Sequence, residues 1–185
     1  FGDIKKNIVI MSSTFIISSL LFICFGYHIS LNQMKSDLIV KKRDKEFAEL
    51  VADYDGKTVI CGGTTANIVE RELCLKCEID KTSFDLKIPM CSTMEGVDLV
   101  TEGILTLTDV YRMLKEGIDT DKNNGATRLA KMLLDSDKID FVVGTKINIA
   151  HQDPNLPIEL EIRRNIVKKI FRILQDKYLK EISVR

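Results

Sequence analysis

Polarity along the chain changes character several times, beginning with a stretch between Asn7 and Met34 that carries no formal charge. Within it, Ile8 to Tyr27 (IVIMSSTFIISSLLFICFGY) is about long enough to cross a bilayer as one helix. Its five Ser and Thr residues and its β-branched positions fit two consecutive buried strands equally well. If residues 8–27 span a membrane, Lys35, Lys41, Lys42 and Arg43 outweigh Lys5 and Lys6, which puts the main domain on the cytoplasmic side. Lys35 to Asp55 is strongly charged, with Phe47, Leu50, Val51 and Tyr54 at three- and four-residue spacing, the pattern of an amphipathic helix that Gly56 stops.

From there apolar runs alternate with helical periodicity. Lys57 to Cys61 (KTVIC) predicts a buried strand, and Ala66 to Leu73 a helix that packs Ile68, Val69 and Leu73 inward. Lys76 to Ile88 suggests one or two short strands, closed by Pro89. Val97 to Val100 is the next core strand, followed by a helix over Ile104 to Glu116 with Leu107, Val110, Tyr111 and Leu114 on one face. A polar loop, Asp119 to Gly125, leads to a helix over Ala126 to Leu134 and a strand over Ile139 to Val143. The longest helix covers Pro157 to Leu179, and Ile182 to Val184 reads as an edge strand. Strands separated by helices predict an α/β class with a mostly parallel sheet, helices on both faces and three layers. The expected organisation is an apolar segment over 1–34, a linking helix over 35–56 and an α/β domain over 57–185. Because the chain begins with Phe1, it reads as a fragment, a processed product or an incomplete product.

Composition narrows the partners. The 27 basic and 27 acidic residues cancel, Trp is absent and aromatics are few, which argues against nucleic acid held by charge or by base stacking. Five cysteines, an odd number, fit reduced thiols and a cytoplasmic setting better than a disulfide framework. Cys74 and Cys77 form a single C-x-x-C with no second pair, too little for a zinc site, so no metal ligands are assigned.

Candidate chemistry gathers where strands end, since ligands of open α/β sheets bind beyond the strands' carboxyl ends. Gly62-Gly63-Thr64-Thr65 combines bare backbone with two hydroxyls before a helix N-terminus, suited to a phosphate or carboxylate. It is neither G-x-x-x-x-G-K-[ST] nor G-x-G-x-x-G, and a tight turn with Thr64 or Thr65 as N-cap explains it as well. Thr101 and Glu102 end the second strand, and Glu95 and Asp98 nearby make a metal or a sugar hydroxyl conceivable, against carboxylates that merely cap or face solvent. Gly144-Thr145 ends the third and opens a polar loop with Asn148, His151, Gln152 and Asp153. His151 and Asp153 suit a general base and its orienter, but no nucleophile is assignable. Arg163 and Arg164 lie two turns into the long helix, within reach of a bound anion or simply solvated.

Three of these stretches, CGGTTANIVEREL, EGVDLVTEGILTL and DKIDFVVGTKINIAHQDPNLPIELEIRRNIVKKI, resemble the region C-terminal to the phosphatase domain in bacterial phosphatases of the stage II sporulation protein E type. These are relatives of the metal-dependent 2C-type serine/threonine protein phosphatases, and the resemblance runs from about Asp44 to Arg185. In that family catalysis depends on aspartates that hold two Mg²⁺ or Mn²⁺ ions, in D-G-x-G-S-G and D-D-x-T motifs upstream of this region. Neither motif occurs here, so the resemblance implies Mg or Mn only for a neighbouring phosphatase domain and carries no catalytic residue onto this chain. The apolar segment before Asp44 departs from the expected end of that domain.

The leading expectation is therefore a regulatory domain that binds a ligand, an anionic one in particular, or a protein partner such as the upstream phosphatase domain. The rivals are a small enzyme acting on a phosphorylated metabolite or nucleotide through His151 and Asp153, and a structural homodimerisation module.

Overall fold

A computed structural model of the chain describes residues 7–12, 42–118, 121–143 and 156–184. The element order is β1 (Asn7–Ser12), α1 (residues 42–52), β2 (Lys57–Cys61), α2 (Gly63–Leu73), β3 (Cys77–Ile79), β4 (Ser92–Met94), β5 (Val97–Thr101), α3 (Ile104–Glu116), α4 (Gly125–Asp135), β6 (Lys138–Val143), α5 (Leu156–Asp176) and β7 (Glu181–Val184). Among the described residues these strands form one sheet in the order β3-β4-β5-β2-β1-β6-β7.

The mostly parallel sheet expected from the sequence is corrected to a mixed one. β5, β2, β1, β6 and β7 run parallel, while β4 pairs antiparallel with both β3 and β5. β3 falls within the stretch Lys76 to Ile88 expected to hold one or two short strands, whereas β4 lies beyond Pro89; at three residues each, both are too short to show a period or a pairing direction.

Side chains alternate across the strands, and each face of the sheet buries its own cluster. On one face Val59, Cys61, Leu99, Ile139 and Phe141 meet Leu107, Val110 and Leu114 of α3, Leu129 and Leu133 of α4, and Ile170 and Leu174 of α5. On the other, Ile60 and Val100 meet Val51 of α1 and Ala66 and Val69 of α2, with Phe47, Leu50 and Tyr54 packed alongside. Burial on both faces explains why Val59, Ile60 and Cys61 of β2 are apolar in succession rather than alternating.

β1 stands in the middle of the sheet, with Ile8 to Met11 registered on Lys57 to Ile60 and Asn7 to Ser12 on Lys138 to Val143. The sheet thus reaches back past the boundary at residue 57, and the opening of the apolar stretch is a strand. Residues 13–27 lie outside the described residues; among those described, no helix is long and apolar enough to cross a membrane.

Candidate functional site

β2 and β5 are neighbours, yet α2, which follows β2, packs on one face of the sheet and α3, which follows β5, on the other. The point where adjacent strands send their chains to opposite sides is the crevice position at which ligands of open α/β sheets usually bind. Its two lips are glycines. Gly62, with φ 126°, is the N-cap of α2, and Gly103, with φ 139°, is the N-cap of α3. Both angles are ones L side chains rarely adopt. The lips touch: Gly62 N–H donates to the Thr101 carbonyl at 2.9 Å, and a Cβ on Gly103 would lie 3.6 Å from Gly62 Cα. The alternative in which Thr64 or Thr65 is the N-cap does not hold, since both lie inside α2 and Gly62 fills that position.

The helix ends differ electrostatically. Glu102 Oε2 accepts from Leu105 N–H at 3.2 Å, so the N-terminus of α3 already holds a carboxylate. The Gly62 cap has no side chain to offer, and no acidic residue lies in the first turn of α2. That terminus keeps its partial positive charge facing the crevice, beside exposed Gly63 and half-buried Thr64.

Beneath the crevice lie buried Cys61, Thr101 and Thr65. Burial pushes the Cys61 thiol up to about 12; its contact with the Thr101 hydroxyl opposes this, and the Glu102 charge adds to it. The contact is loose enough that Thr101 Oγ1 forms no full hydrogen bond. Cys61 is thus a protonated thiol at neutral pH and not a nucleophile. Gly125, at the start of α4, closes in from the side: a Cβ there would stand 3.3 Å from Thr101 Cγ2 and 3.5 Å from Cys91 Cβ.

The chain between β2's helix and β5 forms an excursion that clamps α4. Asp80 Oδ1 accepts from Thr82 N–H at 2.9 Å and Thr82 Oγ1 at 2.6 Å, and Asp80 Oδ2 from Arg128 Nη1 at 2.7 Å. The Thr82 hydroxyl foremost, then the Arg128 guanidinium, hold the Asp80 carboxyl down to about 2. Asn124 caps α4 through Thr127 N–H at 2.9 Å and donates its amide to Asp85 at 2.8 Å. Sequence reading missed this clamp; its one local signal is the D-x-T turn at Asp80 to Thr82.

Of the predicted site residues, Gly62, Gly63, Thr64, Thr65, Thr101 and Glu102 come together. Gly144, Thr145, Asn148, His151, Gln152 and Asp153 lie outside the described residues, as does the side chain of Arg163. β1 stands between β2 and β6, which sets their ends roughly 10 Å apart. The acidic group around β5 is not one site. Asp98 accepts from Thr58 N–H at 2.8 Å near the start of β5, whereas Glu102 follows its end. Among the described residues, no three His, Cys, Asp or Glu side chains are grouped to hold a metal. A further network also lacked a sequence signal: the buried Asp140 accepts from Tyr54 Oη at 3.2 Å and from Ser183 Oγ.

These features define the class as a mixed-sheet α/β protein in which β2 and β5 each lead into a helix through a glycine N-cap. Compared with known proteins, the chain shows no match to a family model, a curated protein or a solved structure.

Proposed function

We propose that this chain is a non-catalytic regulatory domain that binds a phosphate-bearing or other anionic ligand at the N-terminus of α2. The motif resemblance further assigns it as the companion of a sporulation protein E-type phosphatase domain, its protein partner. The observation that carries the ligand reading is the contact between Gly62 and Gly103. Both lips are side-chain-free, one helix end is capped by Glu102, and the other is left without an acidic neighbour in its first turn. An oxyanion at that end accepts backbone N–H groups and meets the helix dipole.

Gly63→Asp is the discriminating variant. Open space surrounds the position, and a carboxylate in the first helical turn suits the helix while repelling an anion. Melting temperatures of both proteins are to be recorded with inorganic phosphate, nucleotides and phosphosugars. A ligand at a hundred times its Kd stabilises the native state by roughly 2.7 kcal/mol, a rise of about 5–10 °C for a chain of this size. The rise is expected in the native sequence and lost in Gly63→Asp. Absence of a shift with every anion, or phosphoester turnover by the purified protein, overturns the reading.

A further inference from the structure

A second concavity, separate from the glycine crevice, opens between the 85–88 loop of the excursion, the outer side of α3 and the segment leading into α4. Its volume of about 330 Å³ reaches the lower end of the range for small-molecule sites. Polar groups line it almost throughout, including the cations Lys87, Arg112 and Lys122 and the carboxylates Asp85 and Asp109.

The two carboxylates are already engaged within the protein. Asp109 Oδ1 accepts from Arg112 Nε at 2.8 Å and Nη2 at 2.6 Å. Asp85 Oδ1 accepts from the backbone N–H groups of Lys87 at 2.8 Å and Ile88 at 3.3 Å, and Asp85 Oδ2 from the Asn124 amide at 2.8 Å. These bonds hold the Asp85 carboxyl below its ordinary range, the Lys87 N–H contributing most. Asp85 is thus a fixed internal brace: its bonds set the loop backbone from which Lys87 projects. The Lys87 ammonium, by contrast, makes no hydrogen bond or ion pair among the described residues.

A concave wall with more positive than negative groups concentrates potential, and Asp109 Oδ1 and both Asp85 carboxylate oxygens are engaged in internal bonds. What is left to satisfy is the Lys87 ammonium. We propose that this cleft binds a small, multiply charged oxyanion, contacted by the Lys87 ammonium and lying beside Arg112 and Lys122. The chemistry recognised is a compact group of charged oxygens, supplied by a diphosphate or by a polycarboxylate. Asn124 belongs both to the cleft wall and to the cap of α4, whose first residue abuts Thr101, so an occupant braces the excursion against α4.

The test is an amide-resolved NMR titration of the full chain with sodium pyrophosphate and, separately, with citrate, each against sodium chloride at equal ionic strength. Saturable shifts at the amides of Lys87, Ile88 and Asn124 are expected with at least one probe and not with chloride. The probe that acts tells phosphate from carboxylate recognition. Lys87→Gln, at an exposed position, should leave the melting temperature unchanged and weaken binding roughly ten-fold, the scale of one charge-assisted hydrogen bond. Gly63→Asp should leave these shifts intact, which separates this cleft from the α2 site. Shifts reproduced by chloride, or a midpoint indifferent to Lys87→Gln, overturn the proposal.

Discussion

Two glycines of this chain do opposite jobs although both sit at the start of a helix. Gly103 holds φ 139° against the backbone of Gly62, whereas Gly63 lies in ordinary helical backbone with open space around it. Gly103→Ala is therefore expected to destabilise by about 1–3 kcal/mol, since a side chain must adopt a glycine-only conformation. Gly63→Ala should instead be neutral or stabilising by up to ~1 kcal/mol. Urea midpoints of the two variants check the contrast, and equal effects would show that neither cap is special. The residue types of this crevice were legible: a G-G-T-T run after an apolar strand and T-E-G after another pointed to strand ends. That Glu102 spends its carboxylate on the α3 end was not, because nothing in linear order says which backbone N–H a flexible side chain will reach.

Helices and strands differed in how plainly their boundaries could be read. α3 occupies Ile104–Glu116 as its periodicity demanded, and β2 coincides with KTVIC. The β3–β4 excursion was readable only in part: β3 falls within the stretch Lys76 to Ile88 expected to hold short strands, but β4 lies beyond Pro89, and the bonds that tie the excursion to a helix some forty residues away follow no repeating pattern. Its stability should respond to acid in a defined direction. Asp80 is held at about 2 against an ordinary 3.8, so its contribution is complete above the higher value and fades as pH falls through the lower one. In a carboxyl-resolved NMR titration, Arg128→Ala should raise the Asp80 midpoint toward 3.8 without restoring it fully, because the Thr82 bonds persist. A midpoint unmoved by Arg128→Ala would mean that the ion pair does not form in solution.

At the scale of the whole molecule the decisive feature is β1. The opening stretch read equally as a membrane span or as buried strands, because hydropathy alone cannot separate a sheet's interior from a bilayer's. Its residues Ile8 to Met11 pair on both sides, with β2 and with β6. Proline in a central strand removes a ladder donor that no solvent replaces, so Ile10→Pro is expected to cost about 3 kcal/mol or more and to lower the melting temperature sharply. An unchanged melting curve would exclude residues 7–12 from the sheet. The mixed topology escaped sequence reading for a related reason: pairing direction depends on three-residue strands whose partners are fixed only by the assembled core. The same strand sets a timetable for biosynthesis. β1 leaves the ribosome first and finds β2 early, but its other side waits for β6, whose first residue follows the end of β2 by about eighty positions, some 4–16 s at 5–20 residues per second. Throughout that interval a nascent chain carries an apolar strand edge that lacks its second partner, so exposure to edge-to-edge pairing follows from this fold's connectivity.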